Sequence, residues 1–79
     1  QQLTERDRME EFMFLGLRMM EGVSMEKFER YFGKPYMEVY GKVQKRMEDK
    51  RFLINDNGYV KLTEFGIDLS NYVMSEFLF

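Results

Sequence analysis

The chain has 79 residues and a formal net charge of −2, from 12 basic and 14 acidic side chains. This length allows one domain. The lack of cysteine and histidine excludes disulfides and thiolate chemistry within the chain and removes the usual general base near neutral pH, while the acidic balance argues against DNA or RNA as the main partner.

The first predicted helix covers residues 4–21 and is the most apolar part of the chain. Thr4 is a suitable N-cap, and Gly22 ends the helix. A helix that lies on one small core usually has an apolar stripe little more than roughly 100° wide. Here the apolar side chains go nearly all the way round: Phe12, Met13, Phe14, Leu15, Leu17, Met19 and Met20. We therefore expect this helix to be covered on two sides, either by the rest of this domain or by a surface outside it.

Two further helices follow. Ser24 caps a helix predicted over residues 25–32, and Gly33 comes directly after it. A third helix is predicted over residues 35–50, because Pro35 suits a first helical turn. Its apolar residues recur at i, i+4, i+7 and i+11, as Tyr36, Tyr40, Val43 and Met47. The short connection between these two helices is typical of a helix-turn-helix.

A β-hairpin and a final helix complete the predicted fold. Strands over residues 52–55 and 59–62 flank Asn57-Gly58, the strongest short signal for a hairpin turn. Thr63 caps a last helix over residues 63–78, and Val23 is a candidate for a third, very short strand. The sequence therefore predicts one mainly α domain over residues 1–79 with a small β-hairpin, in the order of a winged helix-turn-helix.

Basic side chains on or near the third helix raise the alternative of a DNA-binding regulatory module. Carboxylates share that helix at Glu38, Glu48 and Asp49, and each would weaken binding to phosphates. The mixed charges favour a solvated face with spaced ion pairs, so nucleic acid is not the expected partner. The basic residues concerned are Lys34, Lys42, Lys45, Arg46, Lys50 and Arg51.

No set of side chains predicts a catalytic, cofactor-binding or metal site. Adjacent carboxylates such as Glu10 and Glu11 point in different directions on a helix, which fits surface charges better than an acid–base pair. Eight methionines and eight phenylalanines fit a core better than a porphyrin site, although tyrosine can bind heme iron. No apolar run reaches the roughly 18 residues that a membrane span needs.

The excess of apolar side chains favours a docking surface on the first and last helices. Methionine suits adaptable contact surfaces, and eight methionines are many for this length. Self-association of the 79 residues through the same surface is an alternative that the sequence leaves open. The residues predicted to form the docking surface are Phe14, Leu17, Met20, Met74, Phe77 and Phe79.

Residues 11–24, with Phe28 and Phe32-Gly33 after them, resemble the C-terminal domain of the oxygen-independent coproporphyrinogen III oxidase family. Residues 62–66, which lead into residues 67–73, share the resemblance, although the Leu-Thr-x-x-Gly pattern is common among winged-helix proteins. The likeness covers nearly the whole chain. It implies a winged-helix domain excised from a longer protein, and Gln1 is an unusual natural start.

The resemblance also implies what the longer protein contains. Members of the family resemble radical S-adenosylmethionine enzymes, whose N-terminal barrel holds a four-iron, four-sulfur cluster through a Cys-x-x-x-Cys-x-x-Cys motif. Some act in porphyrin biosynthesis as oxidases. A related branch of heme chaperones carries an upstream His-Asn-x-x-Tyr-Trp motif. Neither motif occurs here, so no catalytic or cluster residue can be assigned to this chain.

The compact helical segment at residues 11–24 and the short wing favour the chaperone-like branch. The role implied by the resemblance is that of a non-catalytic accessory domain in a cytoplasmic protein. Its expected partner is the N-terminal catalytic domain of the same chain. Porphyrin or heme is expected as a ligand of the whole protein, with no cofactor held by these 79 residues.

Overall fold

The structure is a computed structural model that describes residues 3–79. The expected mainly helical domain with a small hairpin is confirmed in this part of the chain; residues 1–2 of the predicted domain lie outside it. The elements in chain order are α1 (Glu5–Leu17), β1 (Val23–Ser24), α2 (Met25–Phe32), α3 (Tyr36–Asp49), β2 (Leu53–Asp56), β3 (Tyr59–Leu62), α4 (Glu64–Asp68) and α5 (Ser70–Ser75).

The three strands form one antiparallel sheet in the order β1-β3-β2. Asn57 and Gly58 join β2 to β3, and both have positive φ, at 53° and 85°, as a tight type I′ hairpin turn requires. On the other side of β3, Val23 pairs with Val60. The candidate third strand at Val23 is therefore confirmed, and it ties the start of α2 to the hairpin.

Helix α1 ends four residues earlier than the sequence predicted. It begins with a capping box, in which Thr4 and Asp7 each accept the other's backbone N–H at 3.1 Å. It stops at Leu17, and a turn covers the residues up to Gly22. The predicted end at residue 21 was wrong because the pairing of Val23 with the sheet forces the chain to leave the helix before it reaches the strand.

The predicted last helix is two short helices, with a break at Leu69. This residue has φ −115° and ψ 34°, which are not helical values. Helix α4 lies against the start of β2, since Gly66 is so close to the Phe52 carbonyl that a Cβ there would overlap it. Val73 of α5 and Phe77, which follows that helix, point into the core, where both are fully buried. The prediction of one helix over residues 63–78 was wrong, and we attribute the break to these two separate contacts.

Helix α3 begins one residue later and ends one residue earlier than predicted, with Pro35 as its N-cap residue. Tyr36, Tyr40 and Met47 of the predicted apolar seam are buried, and Val43 is half-buried. The sequence pattern missed Gln44, which is fully buried on the same face.

The core surrounds Phe28 of α2. Ring centroids of Phe12, Phe32, Tyr36 and Tyr40 lie 4.8–5.9 Å from it, distances at which aromatic pairs attract edge to face. Every helix except α4 contributes at least one buried large apolar side chain to this core, and so does every strand. Its buried members are Met9, Met13, Leu17, Val23, Phe28, Tyr36, Tyr40, Met47, Leu53, Val60, Val73 and Phe77.

Two buried tyrosines of α3 differ in their hydrogen bonding. The hydroxyl of Tyr36 donates to Gln44 Oε1 at 2.7 Å, and Gln44 Nε2 donates to Glu48 Oε2 at 2.8 Å. The hydroxyl of Tyr40 is buried without a partner among the described residues. A buried polar group that loses its partner costs stability, whereas removal of an unpaired one does not.

This difference predicts opposite outcomes for two matched substitutions. Tyr36→Phe leaves the buried Gln44 oxygen unpaired, so the unfolding free energy should fall by about 1–3 kcal/mol. Tyr40→Phe removes an unpaired hydroxyl and should leave the unfolding free energy unchanged or raise it by about 1 kcal/mol. Urea unfolding followed by circular dichroism measures both. A larger loss for Tyr40→Phe than for Tyr36→Phe would contradict the assigned hydrogen bonds.

The same two side chains predict a decline of stability at alkaline pH. Burial raises the pKa of Tyr36 and of Tyr40 well above the ordinary value near 10; Tyr40 and then Glu48 add smaller contributions at Tyr36, and Glu10 adds one at Tyr40. Above pH 10 the unfolded chain therefore loses tyrosine protons that the folded chain keeps, and the unfolding free energy falls as pH rises.

Melting temperatures measured from pH 8 to about pH 11 should show this fall. The Tyr40→Phe variant should show a shallower slope than the parent sequence, which controls for the lysines that titrate in the same range. Equal slopes for the two proteins would mean that Tyr40 is not a source of the pH dependence.

Candidate docking surface

An open groove of about 470 Å³ runs between the turn after α1 and the α4–α5 pair. One wall comes from the end of α1 and the following turn, the opposite wall from α4 and α5, and β3 contributes to the lining. The lining residues are Leu17, Arg18, Met19, Met20, Lys61, Leu62, Ile67, Ser70, Asn71 and Met74. We call this set the Met groove.

The Met groove exposes large apolar side chains on both walls. Met20 is 98% exposed, Met19 is 57% exposed, and Ile67 on the opposite wall is 60% exposed. Single exposed apolar residues are common, but a contiguous group marks a surface that binds a partner. Complete burial of a methionine or isoleucine side chain contributes roughly 1.5–3 kcal/mol. Covering these three side chains with another surface would therefore favour binding.

Glycines fix both walls on the sheet. Gly22, at φ +84°, passes so close to the Val60 carbonyl that a Cβ would overlap its oxygen. Gly66 passes the Phe52 carbonyl in the same way. Gly16 lets α1 approach Val23 of β1. The turn after α1 and helix α4 are therefore each held by a close approach to a backbone carbonyl that a residue with a Cβ could not make without a shift.

The groove carries positive charge at its edge. Lys61 Nζ lies 3.2 Å from Asp56 Oδ2, so its charge is compensated. Arg18 is exposed and makes no ion pair with any residue from 3 to 79. A guanidinium in this position can bind a carboxylate through two parallel hydrogen bonds.

The six residues predicted as a docking surface do not share one environment. Met20 and Met74 line the Met groove, and Leu17 is buried at its edge. Phe77 is fully buried, with its ring centroid 5.0 Å from that of Tyr40, so it belongs to the core of the domain.

Phe14 and Phe79 complete the six. Phe14 is half-buried on α1. Phe79 is exposed and lies under the guanidinium of Arg6, whose Cζ is 5.2 Å from the ring centroid. Its backbone N–H donates to Glu10 Oε2 at 2.9 Å. Only Met20 and Met74 of the predicted set therefore share one exposed surface with each other.

Sequence reasoning missed Arg18, Met19 and Ile67 as members of one surface. Met19 and Met20 were placed on a helix, whereas the structure puts both in the turn after α1. Ile67 was expected on a continuous last helix, and the break at Leu69 separates it from α5. The available signal was the pair Gly16 and Gly22, which allows one close approach near the end of α1 and a second one after the turn.

Other parts of the described surface are weaker candidates for a binding site. A shallow depression of about 560 Å³ on α3 is lined by Met37, Glu38, Val39, Gly41, Lys42 and Lys45, which mixes both signs of charge. Within residues 3–79, no group of three metal-ligating side chains comes together. No helix in that range has the length and apolar content of a membrane span.

Comparison with known proteins gives consistent matches. The family model described as the HemN C-terminal domain matches residues 3–69. The heme chaperone HemW of Lactococcus lactis subsp. lactis (strain IL1403) is 37% identical over 76 residues, or 96% of this chain. The heme chaperone HemW of Bacillus subtilis (strain 168) is 35% identical over 77 residues, or 98% of the chain.

The chain spans 20% of the length of each of these two relatives. No solved structure matches it significantly. The matched region covers α1 to α4. It therefore includes one wall of the Met groove, formed by the end of α1 and the following turn, and the α4 part of the opposite wall.

The close approach at Gly22 predicts a large effect of adding one methyl group. Gly22→Ala must both adopt a left-handed conformation and displace the Val60 carbonyl. Gly58→Ala is a matched control, since its φ is +85° and nothing lies within 4 Å of the added Cβ. The control should lose about 1–2 kcal/mol of unfolding free energy, and Gly22→Ala should lose at least about 2 kcal/mol more. Similar losses in denaturant unfolding would contradict the close contact.

Proposed function

We propose that this chain, which belongs to the HemN C-terminal domain family, acts as a docking domain within a longer protein similar to heme chaperone HemW. The resemblance noted from the sequence is confirmed by the family match and by both relatives. The domain would hold no reacting group. It would bind the remainder of its own parent chain and help to shape the site at which that protein works.

The Met groove is the observation that carries this proposal. The domain has a complete core of its own, yet it leaves Met20 almost fully exposed opposite Ile67. Since the chain spans one fifth of its relatives, most of a parent of that length would lie outside these residues and is the nearest source of cover. Exposed apolar patches commonly mark surfaces that contact another protein or another part of the same protein.

The chemistry of the parent would lie outside this domain. The resemblance implies a four-iron cluster and S-adenosylmethionine on an N-terminal barrel. This chain has no cysteine and therefore no thiolate that could hold such a cluster. The cluster does not fit these residues, and no reaction step is assigned to them. Heme or porphyrin would be a ligand of the whole protein, and that protein would be located in the cytoplasm, as the resemblance implies.

The order of elements supports the winged helix-turn-helix interpretation as part of the proposal. Helices α2 and α3 are separated by Gly33, Lys34 and Pro35, and the β2–β3 hairpin follows α3 as a wing would. The DNA-binding alternative has no such support, because Lys42 and Lys45 share their face of α3 with Glu38.

Hydrogen exchange tests whether the domain docks at all. We expect backbone amides in part of residues 3–79 to exchange more slowly in the full-length parent than in the isolated 79-residue chain, because a docked surface is shielded and stabilised. An unstructured peptide in the same reaction serves as the reference for the intrinsic exchange rate, because docking also slows core amides that exchange through global unfolding. Identical exchange along the whole range in both proteins would mean that the domain is tethered without docking, and the proposal would fail.

A further inference from the structure

We infer that the Met groove receives an apolar segment that carries a carboxylate, supplied by the part of the parent chain outside these 79 residues, and that Arg18 binds this carboxylate. The inference rests on the proposed docking function and goes beyond it. It names the surface, the chemistry of its occupant and the residue that selects the occupant.

The groove is already formed in the isolated domain. Gly22 holds the turn against Val60, and Gly66 holds α4 against Phe52, so neither wall must move to create the space between them. A preformed site binds with a smaller loss of conformational entropy than one that has to be ordered. Such a groove suits one defined segment held in one register.

Methionine side chains make the lining adaptable. Met19 and Met20 lie on one wall, and Met74 lies on the other. Each has an unbranched, polarizable side chain that fits irregular apolar surfaces. With Leu62 of β3 in the lining and Ile67 on the same wall as Met74, the groove matches the apolar face of a helix or an extended strand.

Arg18 sets the charge of the occupant. It lies at the groove and has no ion-pair partner from residue 3 to residue 79. The second cation of the lining, Lys61, is bound to Asp56. A docked segment would partly remove Arg18 from water, and a charge that loses water without a partner opposes binding. An aspartate or glutamate on the segment satisfies it.

The same charge argues against a second copy of this domain as the occupant. Two domains meeting groove to groove would bring two Arg18 side chains to one interface with no carboxylate in either groove lining. Like charges across a closing interface oppose association. The remainder of a parent about five times as long as the matched region carries no such restriction, and its linkage to the domain raises its effective concentration.

Methionine oxidation in the full-length parent gives a direct test. Hydrogen peroxide oxidises accessible thioethers, and mass spectrometry resolves each methionine of the domain. Met37 on α3 is the internal control, because it is 50% exposed and does not line the groove. On exposure alone Met20, at 98%, should oxidise faster than Met37. We expect the reverse in the parent, with Met20 oxidised at least about tenfold more slowly than Met37.

Substitution of the arginine tests the carboxylate. Arg18→Glu in the parent should restore rapid oxidation of Met20, and Arg18→Ala should do so in part. Lys42→Glu, which makes the same charge change on α3 outside the groove, should leave Met20 protected. Protection of Met20 that survives Arg18→Glu would overturn the role of Arg18.

A photo-cross-linking residue in place of Met20 identifies the occupant. We expect an intramolecular cross-link to one apolar segment with an aspartate or glutamate, whose replacement by arginine restores protection in the Arg18→Glu background. Cross-links between two copies, or protection that depends on protein concentration, would overturn the inference in favour of self-association.

The experiments distinguish failure of the docking proposal from failure of the Met groove as the docking site. Slowed hydrogen exchange elsewhere on the domain, with Met20 oxidised as fast as its exposure predicts, would leave docking in place and overturn the Met groove as its site. Unchanged hydrogen exchange throughout would overturn both.

Discussion

The pairing of β1 with β3 is the constraint from which most of the surface follows. Val23 lies beside Val60 in a strand of only two residues, and Gly22 crosses the Val60 carbonyl with a positive φ to bring it there. The chain cannot remain helical up to that point, so α1 ends at Leu17. The residues between helix and strand form a turn at the edge of the sheet, and this turn holds Met19 and Met20 in solvent.

A second close approach produces the opposite wall. Gly66 brings α4 onto the Phe52 carbonyl, while α5 turns Val73 into the core. The break at Leu69 separates these two directions. It leaves Ile67 exposed on a helix that contributes no large side chain to the interior. A helix that gives its own domain so little apolar contact is a natural place for contact with another part of the protein.

The structure shows how much of the apolar surface of the first helix is covered by the domain itself. Part of its apolar circumference is used within the domain, since Met9, Met13 and Leu17 are buried and Phe12 joins the aromatic cluster around Phe28. Leu15 remains exposed on the helix, and the apolar run continues into the turn with Met19 and Met20, which are exposed as well. The domain therefore has a core of its own and still leaves large apolar side chains exposed at its surface.

The sequence by itself determined the number and type of most elements. Thr4 and Ser24 mark helix starts, Asn57-Gly58 marks the hairpin, and the spacing of α3 marks its buried face, because caps, turns and periodicity are local physical properties. The family resemblance was also a property of the sequence alone. Phe77 shows the limit of such patterns, since apolar character does not distinguish a core residue from a docking residue.

Only the tertiary structure decided where α1 ends, where the last helix bends and which apolar side chains share a surface. Each of these depends on a contact between residues far apart in the chain, such as Gly22 with Val60 or Gly66 with Phe52. Local preference favoured continued helix at both places. The sheet contacts outweighed it, because helix propensity differs by less than about 1 kcal/mol per residue for most side chains, whereas burial of a valine or phenylalanine contributes roughly 1.5–3 kcal/mol.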